Sequence, residues 1–494
     1  MEAGAVSSRG RTAAASRCRS PRSGRKSRSA NAERRGKCRG VALPTPDEAI
    51  AVPSPALRNG HMRMTPVPAF LAVRGALCPI LTSATRLQRG EGGHPPWCPL
   101  SSVPADVAYL RSVLPSTTED AFFDYLATLD ASEVTVSAVP EGSVVFARVP
   151  FLQVKGPLLV VQLLETTLLC LVSYASLVAT NATRFRLLAG PDVKLMEMGL
   201  RRAQGPDGAL SASKYSYIGG FDCTSNILAG KLYGIPVRGT IAHSFIMSFT
   251  SLDEVQPRLL QTPPEKANQG ELAAFVSYAI TFPRDFQGLL DTYCVRSFQV
   301  PWVWDLPIAV SNDISEQSLE EFSREGAEID TIGVGTNLVT CPLQPSLGCV
   351  YKLVEVNGSP CLKLTEEEEK VTIPGTKTIY RLYDTAGHPF MDLMALEEEP
   401  SPSAGQELAV HVLGQLGEAS KVMPTTVEPL NRMYFRDGQV RGARGSLPEG
   451  RSHAQASLSL LHPAHRRLHE PQPYPVAMTE RLHRLLAELR QASQ

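Results

Sequence analysis

The sequence predicts an α/β fold flanked by strand-rich structure, and three observations carry that expectation. Between residues 225 and 332, short apolar runs of strand length alternate with segments of helical spacing, the rhythm of parallel βα units in a barrel or open sheet. On either side of that region the texture turns to short alternating strands separated by polar turns. With 43% hydrophobic residues in 494, the chain has material for one or two packed cores.

Residues 1–103 are expected to lie outside the folded part. The first forty hold twelve Lys and Arg against Glu2 and Glu33, and the next sixty are punctuated by Pro44, Pro46, Pro53, Pro55, Pro66, Pro68, Pro79, Pro95, Pro96 and Pro99. Globular texture begins near Pro104. Val107, Leu110 and Leu114, then Phe122, Phe123 and Leu126, recur at helical spacing, with Ser116–Thr118 and Glu119/Asp120 opening the second helix. Alternation from Val134 to Val136 predicts a strand, Pro140-Glu141-Gly142 a turn, and Val144–Phe146 and Leu152–Val154 two more strands.

The apolar stretch Leu158 to Ala179 predicts a buried strand running into a buried helix. Glu165, Thr166 and Thr167 sit in its middle, where a membrane span would not carry them. Beyond it the spacing predicts a strand at Arg184–Leu188, a helix around Leu195–Arg202 and a crossing at Gly219-Gly220. The alternating region then reads as helix at Ser225–Leu232, strand at Val237–Ile241, strand at Phe275–Tyr278, helix at Arg284–Asp291, strand at Pro307–Val310, helix at Leu319–Arg324 and strand at Glu328–Ile332. After Gly335 strands are expected at Val350–Val354, Leu362–Leu364, Val371–Ile373 and Ile379–Leu382. Leu482, Leu485, Leu486 and Leu489 mark a closing helix.

Forty-nine Lys and Arg balance forty-nine Asp and Glu, so a nucleic-acid binder is not the expectation. Ten cysteines occur without a Cys-x-x-Cys pair, which suggests neither a zinc cage nor a disulfide framework but reduced thiols and a cytosolic protein. An Arg- and Ser-rich start also fits a mitochondrial transit peptide, although few large apolar residues are there to form an amphipathic face. No membrane association is expected.

Three features carry chemistry. His243, the one histidine between Pro104 and Gly387, lies at the end of the apolar run in Gly239-Thr240-Ile241-Ala242-His243-Ser244-Phe245. Reactive groups of α/β folds gather at such strand ends, and structural histidines occur there too. Ile332-Gly333-Val334-Gly335-Thr336-Asn337 reads as a βα turn whose backbone amides could approach a phosphate, or as an ordinary tight turn. Arg184 and Arg186, two apart on an expected strand and so on one face, suit carboxylate or phosphate. Of the adjacent Arg201 and Arg202, at least one must point away from any common site.

In their order these segments resemble the nicotinate phosphoribosyltransferase family. The residues that carry the resemblance are Pro140-Glu141-Gly142, Gly156-Pro157-Leu158-Leu159 through Glu165-Thr166, Met198-Gly199-Leu200-Arg201-Arg202, Tyr217-Ile218-Gly219-Gly220-Phe221-Asp222, the run from Gly239 to Phe245, and Gly335-Thr336 with Pro345-Ser346-Leu347-Gly348. The resemblance covers most of 104–490. It implies an irregular α/β barrel of the type II phosphoribosyltransferase kind, here incomplete, over 156–344, and a sandwich-like domain from 104–155 and 345–494.

It also implies an enzyme that joins nicotinate to phosphoribosyl pyrophosphate, coupled to ATP through a phosphorylated histidine, His243. Thr240 would help hold nicotinate, and Gly335 and Thr336 the phosphoribosyl part. Arg184, Arg201 and Asp291 are further substrate partners on this basis. Mg²⁺ or Mn²⁺ and a homodimer belong to the same implication. The chain departs from the family in lacking an Asp-Ser-Gly-Asp loop, expected near 296–299, and the N-terminal tyrosine that stacks on the pyridine ring. Those departures leave a second reading, a relative that binds ligand or partner without catalysis.

Overall fold

A strand that the sequence texture does not announce lies inside the largest sheet of the computed structural model, which describes residues 48–55, 69–70, 104–255, 268–284, 286–288, 292–293, 307–363, 371–415, 419–441 and 446–492. Glu48–Pro55 pairs antiparallel with Cys349–Val356 on one edge and Leu152–Pro157 on the other. Pro53 and Pro55 cannot donate to a ladder, so their presence argued against a central strand. The remaining described residues belong with this strand to one compact unit, Pro46–Gln494.

That antiparallel sheet has seven strands in the order Ser359–Pro360, Cys349–Val356, Glu48–Pro55, Leu152–Pro157, Thr135–Ala138, Arg432–Arg436, Gln439–Val440. A six-stranded sheet runs Ser420–Val422, Leu408–Val412, Val476–Thr479, Pro389–Leu396, Lys377–Tyr383, Thr426–Pro429, with one parallel pair, Pro389–Leu396 beside Val476–Thr479. The first sheet draws strands from early and late in the chain, whereas the second is built from residues 377–479 alone. Val136 and Val154 of the first and Ile379 and Met394 of the second are fully buried in one shared core. Arg381 and Asp392, both under 5% exposed, form a two-pronged ion pair at 2.8 Å, and Arg381 Nη2 also donates to the Val144 carbonyl.

The helices are set by their ends. Leu158–Ala189 is one helix of 32 residues that starts at Pro157 and stops at Gly190 with φ +77°. Val161, Leu164, Leu168, Val172 and Ala175 fall at helical spacing and are buried in the main core, while Glu165 and Thr166 lie on the exposed side. By length and composition it could cross a membrane. The expected strand-then-helix is therefore a strand ending at Pro157 followed by helix throughout. The expected strand at Arg184–Leu188 is helix as well, so Arg184 and Arg186 do not share a face.

A four-stranded parallel sheet, in the order Cys223–Thr224, Lys194–Glu197, Thr331–Val334, Ala309–Val310, forms part of a barrel and does not close among the described residues. The helix expected around Leu195–Arg202 is a strand here, followed by a single 3₁₀ turn at Leu200–Arg202. A continuous apolar run of this length reads equally well as buried helix or buried parallel strand. The same ambiguity explains Phe275–Tyr278, which is helix within Gln269–Thr281, capped by Asn268 Oδ1 on the Glu271 amide at 3.0 Å. Val237–Ile241 contributes one bridging residue, Val237 beside Thr224, and no longer strand. Leu362 and Val371–Ile373 lie outside strands, and Arg284 sits in a turn rather than a helix. Helix Gly205–Ile218 has no counterpart in the sequence reading. Glu316–Glu325, between the Ser315 capping box and Gly326 at φ +64°, answers the expected helix at Leu319–Arg324.

Candidate active site

Because the four strands run parallel, their C-terminal ends reach one rim and deliver successive turns there. Met198–Arg202 follows Lys194–Glu197, Ser225-Asn226 follows Cys223–Thr224, Gly335-Thr336 follows Thr331–Val334, and Ser311–Asp313 follows Ala309–Val310. The Thr224–Val237 bridge adds a fifth, Thr240 to His243, beyond the outer edge.

Two of these turns are packed tightly. A Cβ on Gly199 would collide with Val339 and come within 2.9 Å of the Gly335 carbonyl, so only glycine lets the Arg201 turn lie against the Gly335-Thr336 turn. A Cβ on Gly333 would meet Met198 Sδ at 2.5 Å and Ser311 Cβ at 3.3 Å, which brings the Met198 and Ser311 turns to either side of it. Asn312 and Asp313 both have positive φ, 87° and 50°. Asn337 Nδ2 donates to the Ile314 carbonyl at 2.9 Å, and Asn181 Nδ2 donates to the Asn337 and Leu338 carbonyls at 2.8 Å. The Gly335–Leu338 turn is thereby tied to its neighbours by side-chain amides.

Beneath the rim is a closed, buried polar ring. Glu197, 1% exposed, accepts from Ser213 Oγ at 2.8 Å, from Thr224 Oγ1 at 2.5 Å and from the Gly199 amide. Thr224 Oγ1 accepts from the Asn226 amide at 3.0 Å, and Asn226 Nδ2 donates to Ser213 Oγ at 3.1 Å. Asn226 Oδ1 caps helix Ile227–Tyr233 through the Ala229 amide. Sequence reading did not single out Glu197, Ser213 or Asn226. The available signal was a glutamate within the apolar run Leu195-Met196-Glu197-Met198, where an acid needs partners to be buried.

His243 opens the short helix His243–Ile246, exposed, with Nδ1 2.8 Å from Thr292 Oγ1. Thr240 and Thr336 are half-buried, and Arg201 is exposed on its turn. Arg184 is engaged elsewhere: its Nε and Nη2 each donate at 2.6 Å to the Glu316 carboxylate, between the long helix and Glu316–Glu325. Asp291 and the segment 296–299 lie outside the described residues. Burial pushes the Cys223, Cys341 and Cys349 thiols up to about 11, 12 and 12, so none of the three is a ready nucleophile. Among the described residues no group of three or more His, Cys, Asp and Glu is arranged to hold a metal ion.

Residues 98–173 match the N-terminal domain of nicotinate phosphoribosyltransferase (NAPRTase), and 376–486 match its C-terminal domain. Nicotinate phosphoribosyltransferase of Bos taurus is 48% identical over 460 residues, covering 78% of this chain and 85% of the relative. That of Homo sapiens is 49% identical over 460 residues with the same coverage. The chain belongs to the nicotinate phosphoribosyltransferase family.

The crystal structure of human nicotinic acid phosphoribosyltransferase superposes with a TM-score of 0.74 at 41% identity, covering 90% of this chain and 96% of that one. Nicotinate-nucleotide pyrophosphorylase from Pyrococcus furiosus, 19% identical with a TM-score of 0.53, covers 84% of this chain and 90% of its own and shares the fold. The partial barrel and the strand-rich domain are thus those of a type II phosphoribosyltransferase. The bovine and human relatives are named as transferases, which favours the enzyme reading over a relative that only binds.

Proposed function

We propose that this nicotinate phosphoribosyltransferase family member joins nicotinate to phosphoribosyl pyrophosphate, giving nicotinate mononucleotide and pyrophosphate. The observation that carries the reading is the convergence of the Arg201, Asn226, Thr240/His243 and Gly335-Thr336 turns on one rim of the parallel sheet, in a chain of this family. The pyridine nitrogen attacks the ribose carbon and pyrophosphate leaves, so the work of the site is to position two anions and accept the departing charge. Thr240 would hold nicotinate. The backbone around Gly335-Thr336 would hold the phosphoribosyl phosphate, and Arg201 the pyrophosphate or the carboxylate. Mg²⁺ (or Mn²⁺) would arrive with the pyrophosphate as its counter-ion.

ATP hydrolysis, in the same proposal, is coupled through a phosphoryl group held transiently on His243. A homodimer in the cytosol completes the reading. The exposed apolar side chains Ile227, Leu228 and Leu232 on helix Ile227–Tyr233 support self-association. The test supplies the purified chain with nicotinate, phosphoribosyl pyrophosphate, ATP and Mg²⁺ and measures nicotinate mononucleotide. Formation of the nucleotide is the expected result. Binding of nicotinate with no product would select the non-catalytic reading, which the missing Asp-Ser-Gly-Asp sequence makes specific.

A further inference from the structure

The buried ring under the rim joins two paired strands of the parallel sheet to the two helices beside them. Glu197 ends one parallel strand, Thr224 ends the next, Ser213 comes from helix Gly205–Ile218, and Asn226 caps helix Ile227–Tyr233. All four residues are at most 3% exposed. Polar groups at that depth are costly unless satisfied, and here each is satisfied by another member. Glu197 is the shared acceptor. Its Oε2 takes the Ser213 and Thr224 hydroxyls, and its Oε1 takes the Gly199 amide.

The last contact is the one that reaches the site. Gly199 is the residue pressed against Val339 and the Gly335 carbonyl, and the Arg202 amide closes the turn onto the Gly199 carbonyl at 2.8 Å. The Glu197 side chain therefore fixes where the Arg201 turn sits relative to Gly335-Thr336. Through Thr224 it also fixes Asn226 and the start of the next helix. An apolar residue at 197 would leave the Gly199 amide and two hydroxyls without their acceptor.

We propose that Glu197 is a positioning residue, which sets the Arg201 turn against the Gly335-Thr336 turn at the separation a phosphorylated ribose substrate spans. The proposal rests on the phosphoribosyltransferase reading for its ligand and on the ring for its mechanism. Glu197 does not touch substrate and exchanges no proton with it. Its effect is on the geometry of the anion contacts, so its loss acts on substrate affinity ahead of turnover.

The test uses the full chain with Glu197→Gln, Thr224→Val and Thr224→Ser. Gln turns one acceptor of the ring into a donor, Val removes one hydroxyl at nearly constant volume, and Ser keeps it. Glu197→Gln and Thr224→Val are expected to weaken binding of Mg-phosphoribosyl pyrophosphate by roughly tenfold and raise its KM in proportion, with kcat changed less than about threefold. Thr224→Ser should stay within about threefold of the parent. Amide exchange at Gly199–Arg202 should speed up roughly tenfold in the first two variants and stay unchanged in strand Lys377–Tyr383. Equal affinity and equal exchange in parent, Glu197→Gln and Thr224→Val would overturn the proposal, as would a Ser variant as impaired as the Val one. A parent that binds no phosphoribosyl pyrophosphate would overturn the ligand reading alone, while the exchange rates would still decide whether Glu197 holds the turn.

Discussion

Arg451 reaches from helix Leu447–Leu460 to Asp222, its Nη2 donating at 2.9 Å to Oδ1, while Arg186 of the long helix holds Oδ2 of the same carboxylate. Arg451 also donates to the Tyr217 carbonyl at 2.6 Å and lies over the Tyr217 ring at 4.6 Å. The motif Tyr217–Asp222, which the sequence offers as a family marker, is thus a junction between the parallel sheet and the late helix. It is not a piece of the reactive rim. Arg451→Met should keep the aliphatic stem and lose the fork, at a cost of about 1–3 kcal/mol. Thermal unfolding of parent and variant measures it, and equal midpoints would show that the junction carries no weight.

Gly199 supplies the second prediction. Gly199→Ala puts a methyl group into Val339 and toward the Gly335 carbonyl, so one of the two turns must move. Affinity for phosphoribosyl pyrophosphate should fall at least tenfold, with stability down about 1–3 kcal/mol from overpacking. Gly387→Ala is the control: its added methyl meets nothing within 4 Å, and its φ of +81° costs backbone strain alone. Affinity lost equally in both would mean that the close approach at Gly199 is immaterial.

The candidate residues were legible because they sit in motifs whose order survives in the chain; Gly335 and Thr336 follow a strand as expected, whereas Arg201, expected at the end of a helix, follows the strand Lys194–Glu197, and Thr240 and His243 follow a single bridging residue, Val237. Periodicity misjudged segments where helix and buried strand look alike. Leu195–Glu197 and Phe275–Tyr278 exchanged types because a run of four or five apolar residues has no period to measure. Arg184 looked like an anion ligand because its partner, Glu316, is 132 residues away and enters only through tertiary packing. Glu48–Pro55 was invisible for a similar reason: its strand state comes from the two neighbours that sandwich it, against the preference of its prolines.

Lys377 gives a prediction in pH. Its Nζ is enclosed by the Ile373, Pro374 and Gly375 carbonyls at 2.6, 3.2 and 2.5 Å, and burial pushes the amine down to about 7, with Glu355 pulling it back up. A folded-state value below the unfolded one means that the unfolded chain binds the proton more strongly between about 7 and 10.5. Stability should therefore rise with pH across that window, by at most about 1.4 kcal/mol per unit, and level off below it. Lys377→Met should remove that part of the slope. Denaturant unfolding at pH 7 and pH 9 makes the comparison. A slope identical in parent and variant would mean that the three carbonyls hold the group as an ammonium throughout.

His243 carries the last prediction, which follows from the proposed coupling to ATP. Its Nδ1 is bonded to Thr292 Oγ1 at 2.8 Å, and when Nδ1 carries the proton, Nε2 is the nitrogen with a lone pair for phosphorus. The residue is exposed at the start of its helix, so ATP can approach it. His243→Ala should abolish stimulation by ATP while leaving ATP-independent product formation within about threefold, because the positioning turns on the other strands are untouched. Thr292→Val should fall between, since it loosens the ring without removing the nucleophile. Incubation with γ-labelled ATP should place acid-labile phosphate on the parent and none on His243→Ala. Label retained on the variant would move the phosphoryl group to another residue, and stimulation retained without label would separate ATP binding from phosphoryl transfer altogether.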